Sequence, residues 1–395
     1  MEINPKLLDN IRQVTPYTPG EQPQNKVMKL NTNENPYPPA PSVQRVFEQL
    51  DANRLRLYPD PTSHDLIEAL AKSYQVTKEQ VFVGVGSDDI LALCFLTFFN
   101  SKKPILFPNI TYSFYKVWAE LYHIPYCCPL LQEDFTLNPA DYMRENGGII
   151  FPNPNAPTGV YESLDRVEEI VKANPDVVVI VDEAYIDFAI SKGMGLNEQV
   201  SNSYSHIEVK EGGFDSLKKM GAIKQVSAIS LVDKYDNLMV VQTFSKSRSM
   251  AGIRIGYGVA NPILIGFLND VKSSFNSYTM NLPSLLCGVA ALQEEEYFYG
   301  QIEKVITTRE WTKTELKKLG FEFPNSRGNF IFARHPDFPG IELFQKLREG
   351  QIFVRHWNKE EIKDYLRITI GTQEEMEIFV TTLHEIMKAM ELKQR

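Results

Sequence analysis

Cysteine is scarce in this chain of 395 residues, which contains only four. Cys127 and Cys128 are adjacent, and no pair has the CxxC spacing typical of zinc sites. A disulfide framework and a zinc site are therefore disfavoured, and no metal ligand is predicted. So few thiols are typical of a protein that stays in the reducing cytoplasm, which is the location that we predict.

Long apolar runs are absent as well. No stretch of about 18 apolar residues occurs, so the sequence predicts no membrane-spanning helix. The opening residues, MEINPKLLDN, carry early charges and lack the apolar core of a signal peptide. We therefore expect no membrane partner.

The sequence also lacks the excess of basic residues that a nucleic-acid-binding surface needs. Lys and Arg number 41, whereas Asp and Glu number 50, so the formal net charge is −9. This balance disfavours broad nucleic-acid binding. It leaves small anionic substrates open, because local arginines can bind anions inside an acidic protein. Neither a complete phosphate-loop motif nor an internal repeat is present.

Strands and helices alternate in the middle of the chain, and this alternation predicts the fold. Apolar strands are expected at 81–86, 104–108, 147–154, 177–185 and 238–244. Helices are expected between most of them, at 88–99, 111–122 and 163–174. Near-continuous apolar strands separated by helices are typical of a mostly parallel sheet that helices cover on both faces. We therefore predict the α/β class.

The pattern changes after about residue 275 to longer helices and alternating strands, which predicts a second domain. We assign residues 50–275 to a large α/β domain. Residues 1–49 and 276–395 are assigned to an N-terminal arm and a small α+β domain. Residues 191–226 have no periodic apolar face and are predicted to be an insertion.

Two helix starts are predicted from their capping residues. Ser63 is the expected N-cap of a helix over 63–74. Thr372 and Glu375 form an expected capping box at the start of the final helix, 373–391.

The segment TFSKSRSMAGIRIGYG (243–258) is the sharpest candidate for chemistry. Lys246 follows directly on an apolar strand, at the end of the strand where α/β proteins bind ligands. A lysine beside a hydrophobic strand can lose its proton and act as a nucleophilic amine. Ser245 and Arg254 are near enough in sequence to hold a phosphate close to it. The ordinary alternative for a lone lysine is a solvated loop position.

The strand VVVIVDEAY (177–185) ends in an acidic residue, Asp182, with Tyr185 three positions later. An unpaired buried carboxylate is costly, so Asp182 needs a partner. A protonated pyridine nitrogen is one such partner, and an ordinary salt bridge is the other.

Three loops beside predicted strands offer further contacts. In GVGSDDI (84–90), the backbone of Ser87 and Asp88 stands at a helix start and can bind an anion, although acidic residues there also favour the helix itself. Tyr112, in TYSFY, can stack on a flat ring or pack in the core. NPNAPTG (153–159) is by itself a turn.

Arg355 and Arg367 lie in strand-like segments of the predicted second domain. A bidentate clamp on a carboxylate would explain an arginine in a strand, and surface pairing explains it equally well.

Taken in order along the chain, these segments resemble the fold-type I pyridoxal-phosphate aminotransferases and, within them, the histidinol-phosphate aminotransferase family. The matching motifs cover nearly the whole chain and are NTNENPYP, YPDP, GSDD, TYSFY, NPNAPTG, VDEAY, TFSKS with AGIRIGY, VRHW and YLRITIGT. The resemblance implies a seven-stranded, mostly parallel sheet between helices. It also implies pyridoxal 5′-phosphate as the cofactor and transamination between histidinol phosphate and 2-oxoglutarate in histidine biosynthesis.

The resemblance assigns a role to each candidate residue. Lys246 would hold the cofactor covalently and later move a proton between substrate and cofactor. Asp182 would keep the pyridine nitrogen protonated, and Tyr185 would hydrogen-bond the ring oxygen. The other cofactor contacts would come from Ser87, Asp88, Tyr112, Asn155, Ser245, Arg254 and Tyr58.

Substrate contacts follow from the same resemblance. Arg367 would clamp the substrate's α-carboxylate. Tyr58, in YPDP, would reach the site of the neighbouring subunit, which implies a homodimer with shared active sites. The substrate's remaining groups, including a phosphate, would be faced by Tyr17, Asn33, Tyr58 and Arg355.

The sequence departs from the family at one cofactor contact. The family's asparagine directly before PTG is Ala156 here, and Asn155 stands one place earlier. We expect either Asn155 to make that contact or Tyr185 to act alone on the ring oxygen.

Two alternatives keep the cofactor and change the substrate, namely an aromatic amino-acid aminotransferase and a threonine-phosphate decarboxylase. The pocket around Tyr17, Tyr58 and Arg355 discriminates between them, because a phosphate needs cations and an aromatic ring needs apolar walls. A non-catalytic binding protein on the same fold is a remote alternative. It is disfavoured because the chain has no additional DNA-binding segment and is acidic.

Overall fold

The computed structural model describes residues 5–23, 25–190 and 226–394. Apart from Val226, the predicted insertion at 191–226 lies outside the described residues. The α-helices of the described part are α1 (Pro5–Leu8), α2 (Pro41–Gln49), α3 (His64–Tyr74), α4 (Ser87–Phe98), α5 (Phe114–Leu121), α6 (Leu164–Ala173), α7 (Pro262–Phe275), α8 (Leu282–Leu292), α9 (Glu295–Lys318), α10 (Gly340–Glu349) and α11 (Gln373–Gln394). Short 3-10 helices lie at Ala52–Arg56, Lys78–Gln80, Pro139–Tyr142, Ile186–Ala189 and Ala228–Leu231.

The strands of the described residues form three sheets. The strands are β1 (Met28–Lys29), β2 (Val81–Gly84), β3 (Ile105–Leu106), β4 (Tyr126–Cys127), β5 (Ile149–Pro152), β6 (Val179–Asp182), β7 (Leu238–Thr243), β8 (Gly256–Ala260), β9 (Phe330–Ala333), β10 (Ile352–Phe353), β11 (Arg355–His356) and β12 (Leu366–Thr369). The largest sheet has seven strands in the order β2-β8-β7-β6-β5-β3-β4. Only β8 runs antiparallel to its two neighbours, so the predicted mostly parallel, seven-stranded sheet is confirmed.

Both faces of this sheet are buried, which explains why its strands are apolar without a break. Along β6, Val179 and Val181 enter one hydrophobic core, whereas Ile180 enters the other. Helices α3, α6 and α8 pack in the first core, and α4, α5 and α7 pack in the second. Helices on both faces are the arrangement that parallel strands require, because each crossover returns over one face of the sheet.

A smaller sheet lies near the C-terminus in sequence, in the order β11-β12-β9, with all of its pairs antiparallel. The N-terminal arm joins this region through β1, which pairs in parallel with β10. The arm and the C-terminal segment therefore pack together, whereas the exact division into 50–275 and 1–49 with 276–395 stays a prediction. Among the described helices, none is both long and apolar enough to cross a membrane.

The sheet brings the sequence motifs together. Strands β2, β5, β6 and β7 all run in one direction and end next to GSDD, NPNAPTG, DEAY and SKS, respectively. Since the carboxyl ends of parallel strands meet at one edge of a sheet, four distant motifs share one edge.

Sequence and structure agree for one of the two predicted caps. The Thr372 hydroxyl accepts from the Glu375 backbone N–H at 3.2 Å, and the Glu375 carboxylate accepts from the Thr372 N–H at 2.8 Å. Ser63 does precede α3, but its backbone is left-handed (φ 53°) and its side chain makes no cap hydrogen bond. Asp60 caps this helix instead, because its carboxylate accepts from the His64 N–H at 2.7 Å.

Replacing Thr372 by alanine removes a capping hydrogen bond from α11, so we expect the variant to lose about 1 kcal/mol of unfolding free energy. The matched control is Ser63→Ala, which should change the unfolding free energy by only a few tenths of a kcal/mol, since the Ser63 hydroxyl makes no capping hydrogen bond. Denaturant unfolding at one protein concentration measures both. Equal losses in the two variants would contradict this assignment of the caps.

Candidate active site

A cavity of about 680 Å³ opens at the carboxyl edge of the seven-stranded sheet. Its walls come from the sheet edge, the N-terminal arm and the small C-terminal sheet. The predicted site residues that line it are Tyr17, Ser87, Asp88, Tyr112, Asp182, Tyr185, Ser245, Lys246, Arg254, Arg355 and Arg367. Three predicted residues are not among its lining residues, namely Asn33, Tyr58 and Asn155.

Lys246 extends into this cavity from the loop after β7. Its Nζ donates to the carbonyl oxygen of Thr32 at 3.0 Å and lies 5.9 Å from the centre of the Tyr185 ring. Asn35 fixes the lysine's backbone by donating to the Lys246 carbonyl at 3.1 Å. Burial, helped by the nearby Arg367 charge, lowers the pKa of Lys246 from 10.5 to about 8. Its amine is therefore neutral far more often than a surface lysine's, which is what a nucleophilic amine requires.

Asp182 ends β6 and is 5% exposed. Its Oδ2 accepts from the Tyr115 hydroxyl at 2.8 Å, and its Oδ1 accepts from the Ala184 N–H at 3.2 Å. Within the described part of the chain no cation pairs with it, and burial raises the pKa of its carboxyl from 3.8 to about 6. A cationic or protonated ligand group in the cavity would stabilise this carboxylate.

Sequence reasoning missed Tyr115, which belongs to the same motif as Tyr112. The two tyrosines are three positions apart, and their rings meet edge to face with 5.7 Å between the ring centres. The Tyr112 ring lines the cavity, and the fully buried Tyr115 reaches the Asp182 carboxylate behind it. A second tyrosine one turn after a predicted ring-stacking tyrosine was the available signal.

Arg254 and the start of α4 form one end of the cavity. The Arg254 Nη1 lies 3.5 Å from the Ser245 hydroxyl, and its Nη2 lies 3.8 Å from the Asp88 carboxylate. Gly86 precedes the helix with φ 85°, and a Cβ there would approach the guanidinium to 2.5 Å. The first N–H groups of a helix lack intrahelical partners, so this end offers backbone donors, a hydroxyl and a cation to one anion.

The other end of the cavity carries two arginines from the small sheet. Arg355 in β11 pairs directly with Arg367 in β12, so the two lie side by side across the strands. Both guanidiniums lie near the Trp357 ring, at 5.6 and 5.3 Å from its centre. Arg355 also donates to the Thr18 carbonyl at 3.3 Å, which holds the arm and Tyr17 at the cavity. Two neighbouring cations are suited to the anionic groups of a substrate.

The arm supplies an aromatic wall. The Tyr17 ring stacks on Phe114, with 4.3 Å between the ring centres, and it lies 6.3 Å from the Tyr112 ring. A flat unsaturated ring fits such a wall.

Asn33 does not face the cavity and is fully buried. Its Nδ2 donates to the Tyr185 hydroxyl oxygen at 3.0 Å. Asn33 is not among the residues that line the cavity and instead contacts Tyr185, which does line it, so the direct contact of Asn33 with substrate stays a prediction.

Asn155 is also turned away from the cavity. Its amide donates to the Ile110 carbonyl and to the Thr158 hydroxyl, both at 3.0 Å, so these groups hold it behind the cavity wall. The neighbouring Ala156 and Pro157 line the cavity instead. Of the two expectations for the ring oxygen, the geometry favours Tyr185 acting without Asn155.

Tyr58 lies outside the cavity on the surface, where its side chain is 81% exposed and stacks on Tyr278 at 4.6 Å. It therefore makes no contact with the site of its own chain.

Comparison with known proteins agrees with this geometry. The sequence model of aminotransferase class I and II matches residues 25–383. A histidinol-phosphate aminotransferase of Lactococcus lactis subsp. cremoris (strain MG1363) is 46% identical over 384 residues, covering 97% of this chain and 98% of that protein. One of Brachyspira hyodysenteriae (strain ATCC 49526 / WA1) is 45% identical over 383 residues, covering 97% and 99%.

A solved structure shares the fold. The histidinol-phosphate aminotransferase of Sinorhizobium meliloti, in complex with pyridoxal-5′-phosphate, superimposes with a TM-score of 0.77 at 21% identity, covering 92% of each chain. The resemblance seen in the sequence motifs is thus confirmed. The chain belongs to the aminotransferase class I and II family, in which the relatives that it matches over nearly its whole length are histidinol-phosphate aminotransferases.

Proposed function

We propose that this protein is a pyridoxal-phosphate-dependent aminotransferase that exchanges an amino group between histidinol phosphate and 2-oxoglutarate. One observation carries the proposal: a buried lysine amine and a buried carboxylate without a cation share one cavity with two adjacent arginines. The names of relatives about 45% identical to the whole chain support the choice of substrates. The low thiol content supports a cytoplasmic location for the reaction.

The residues present fit pyridoxal phosphate. Asp182 is the orphaned carboxylate that a protonated pyridine nitrogen would pair with. Arg254, Ser245 and the start of α4 would hold the phosphate, and Tyr112 would cover the ring. When bound, this cofactor withdraws electrons from the substrate's α-carbon through its pyridine ring.

The chain's own groups would do the remaining work. The Lys246 amine, with its lowered pKa, takes and returns a proton at neutral pH more readily than an ordinary lysine. Tyr185 offers a phenol donor next to that amine. Tyr115 keeps the Asp182 carboxylate oriented by donating to one of its oxygens.

The paired arginines suit both substrates of the proposed reaction. Glutamate carries a carboxylate directly on its amine-bearing carbon, whereas histidinol phosphate carries its phosphate there through a CH2–O linker, so that the phosphorus lies two bonds farther away than the carboxylate carbon. Arg367 would take the carboxylate, and Arg355 beside it would reach the phosphate. The stacked Tyr17 and Phe114 would face the imidazole. That aromatic wall also suits phenylalanine, which makes an aromatic amino-acid aminotransferase the second candidate.

The first test is a substrate panel. We expect the purified protein to transaminate histidinol phosphate with 2-oxoglutarate and to favour it over L-phenylalanine and O-phosphothreonine. Arg355→Gln removes one charged contact, so kcat/KM for histidinol phosphate should fall about 10- to 100-fold. For L-histidinol, which lacks the phosphate, kcat/KM should fall much less in the same variant. Steady-state kinetics on these four substrates measure the effect.

Lys246→Ala is the negative control, and it should lose both transamination and the absorbance of the bound cofactor. If the protein turned over phenylalanine and not histidinol phosphate, it would be an aromatic amino-acid aminotransferase, contrary to the proposal. An equal fall of kcat/KM for histidinol and histidinol phosphate in Arg355→Gln would show that Arg355 does not contact the phosphate.

We further propose a homodimer in which Tyr58 of the partner subunit completes each site. The surface around Tyr58 exposes large apolar side chains that water solvates poorly, namely Leu55, Leu57, Phe275 and Tyr278. An exposed tyrosine surrounded by apolar groups is typical of an interface anchor.

Subunit mixing tests the shared site. Lys246→Ala and Tyr58→Ala homodimers should each be impaired, whereas their mixed dimer contains one site with both wild-type residues and should regain activity. Mixing Lys246→Ala with itself is the control. No recovery, in a sample whose subunit exchange is verified by native mass spectrometry, would place Tyr58 outside the neighbouring site.

The burial of Asp182 predicts how the stability of the folded protein depends on pH. Its carboxyl has a pKa of about 6 in the folded protein and 3.8 when exposed, so the folded state loses stability as pH rises from about 4 to 6. At about 1.4 kcal/mol per pH unit, the cost at neutral pH is up to about 3 kcal/mol. We expect cofactor-free Asp182→Asn to be more stable than the wild type at pH 7 and equally stable near pH 4. Denaturant unfolding across pH measures the difference.

The control is Asp270→Asn, which removes one negative charge at an exposed position and should change the free energy of unfolding by no more than about 0.5 kcal/mol. Adding pyridoxal phosphate should stabilise the wild type more than Asp182→Asn, because only the wild type pairs with the ring nitrogen. A cofactor-free Asp182→Asn variant that is less stable than wild type at pH 7 would contradict the unpaired carboxylate.

A further inference from the structure

The Tyr185 hydroxyl receives one hydrogen bond among the described residues, from the side chain of Asn33. A tyrosine hydroxyl has one proton to donate and two lone pairs that accept. If Asn33 fills a lone pair, the Tyr185 proton remains available to an acceptor in the cavity. The turn after β5 offers no second donor at its two nearest positions, because Ala156 has only a methyl group and the Asn155 amide donates to Ile110 and Thr158.

Asn33 is itself held rigidly. Its backbone N–H donates to the Thr369 hydroxyl at 3.0 Å, and that hydroxyl lies 3.1 Å from the Asn33 Oδ1, to which it donates. The Asn33 carbonyl accepts from the Asn329 amide at 2.9 Å. With Thr369 on its oxygen, the amide turns its nitrogen towards Tyr185.

The backbone of Asn33 is left-handed, with φ 56°. Such a conformation costs free energy in a residue other than glycine, and asparagine tolerates it best among the alternatives. Strained residues of this kind persist where the surroundings fix them, commonly at functional sites. Here the three hydrogen bonds to Thr369 and Asn329 fix it next to the cavity.

We propose that Asn33 is a positioning residue: by donating to the Tyr185 oxygen, it directs the tyrosine's proton into the cavity, towards the ring oxygen of the bound cofactor. This inference rests on the proposed function, since it needs that cofactor as the acceptor. Thr369 belongs to it, because its hydroxyl orients the Asn33 amide. Thr369 also lies two positions from Arg367 on β12, so one short chain of contacts joins the ring-oxygen donor to the strand of the substrate clamp.

Asn33→Asp tests the direction of the hydrogen bond, because it is nearly isosteric and exchanges a donor for an acceptor. The Tyr185 proton would then turn towards the carboxylate and away from the cavity. We expect the pH at which the bound cofactor's absorbance changes to shift, and kcat to fall about tenfold. Asn33→Ala and Thr369→Val should shift the same midpoint less. The exposed Asn100→Asp is the control for an added charge and should leave the midpoint unchanged.

The decisive measurement is a double-mutant cycle with Tyr185→Phe. If Asn33 acts through the Tyr185 hydroxyl, Asn33→Asp should change neither the absorbance midpoint nor kcat further in the Tyr185→Phe background. If the wild type binds the cofactor and transaminates, but the effects of Asn33→Asp and Tyr185→Phe add in the double variant, the role of Asn33 is overturned and the proposed function stays intact. A wild type that binds no pyridoxal phosphate would overturn both.

Discussion

The organisation of the site depends on the burial of one carboxylate. Asp182 stands at the end of a central strand, is almost inaccessible to water and receives two hydrogen bonds from the described residues, from the Tyr115 hydroxyl and the Ala184 N–H. A charge in such a position destabilises the folded protein until a cationic group joins it. The folded chain thus holds unfavourable free energy at a fixed point of the cavity, which pyridoxal phosphate is suited to relieve.

The remaining groups are placed around that carboxylate by the topology. The parallel strands β6 and β7 place Asp182 and the Lys246 loop at the carboxyl edge of the large sheet, with the start of α4 beside them. The small sheet places Arg355 and Arg367 at the other end of the cavity, where the N-terminal arm contacts Arg355 through the Thr18 carbonyl. Asp182 and the two arginines of the small sheet thus lie on strands, whereas Lys246 and Arg254 lie in the connection between β7 and β8.

The sequence predicted which residues line the cavity where the signal is local, and their roles there stay predictions. Lys246, Asp182 and Arg254 each follow or lie near a recognisable strand, and the carboxyl edge of such a sheet is a known place for ligands. Thr372 and Glu375 cap α11 through groups only three positions apart, so the pattern itself contains the contact.

Sequence reasoning failed where a contact depends on residues distant in sequence. The helix α2 was not predicted, and its packing against α8 brings together residues about 240 positions apart. Asn155 and Asn33 were both predicted to face ligand, yet the first is held by Ile110 and the second by Thr369. An asparagine offers donors and acceptors in every direction, so the fold decides which of them are used.

The pairing of β1 with β10 has a consequence for protein synthesis. The arm is synthesised long before its pairing partners Ile352 and Phe353, and Asn33 is separated from its partner Thr369 by 336 positions. The large sheet, complete by Ala260, can form while the C-terminal third is still being translated. A chain translated as far as Ala260 would therefore contain Lys246, Asp182 and Arg254, whereas the two cavity arginines of the small sheet, Arg355 and Arg367, would join the site later.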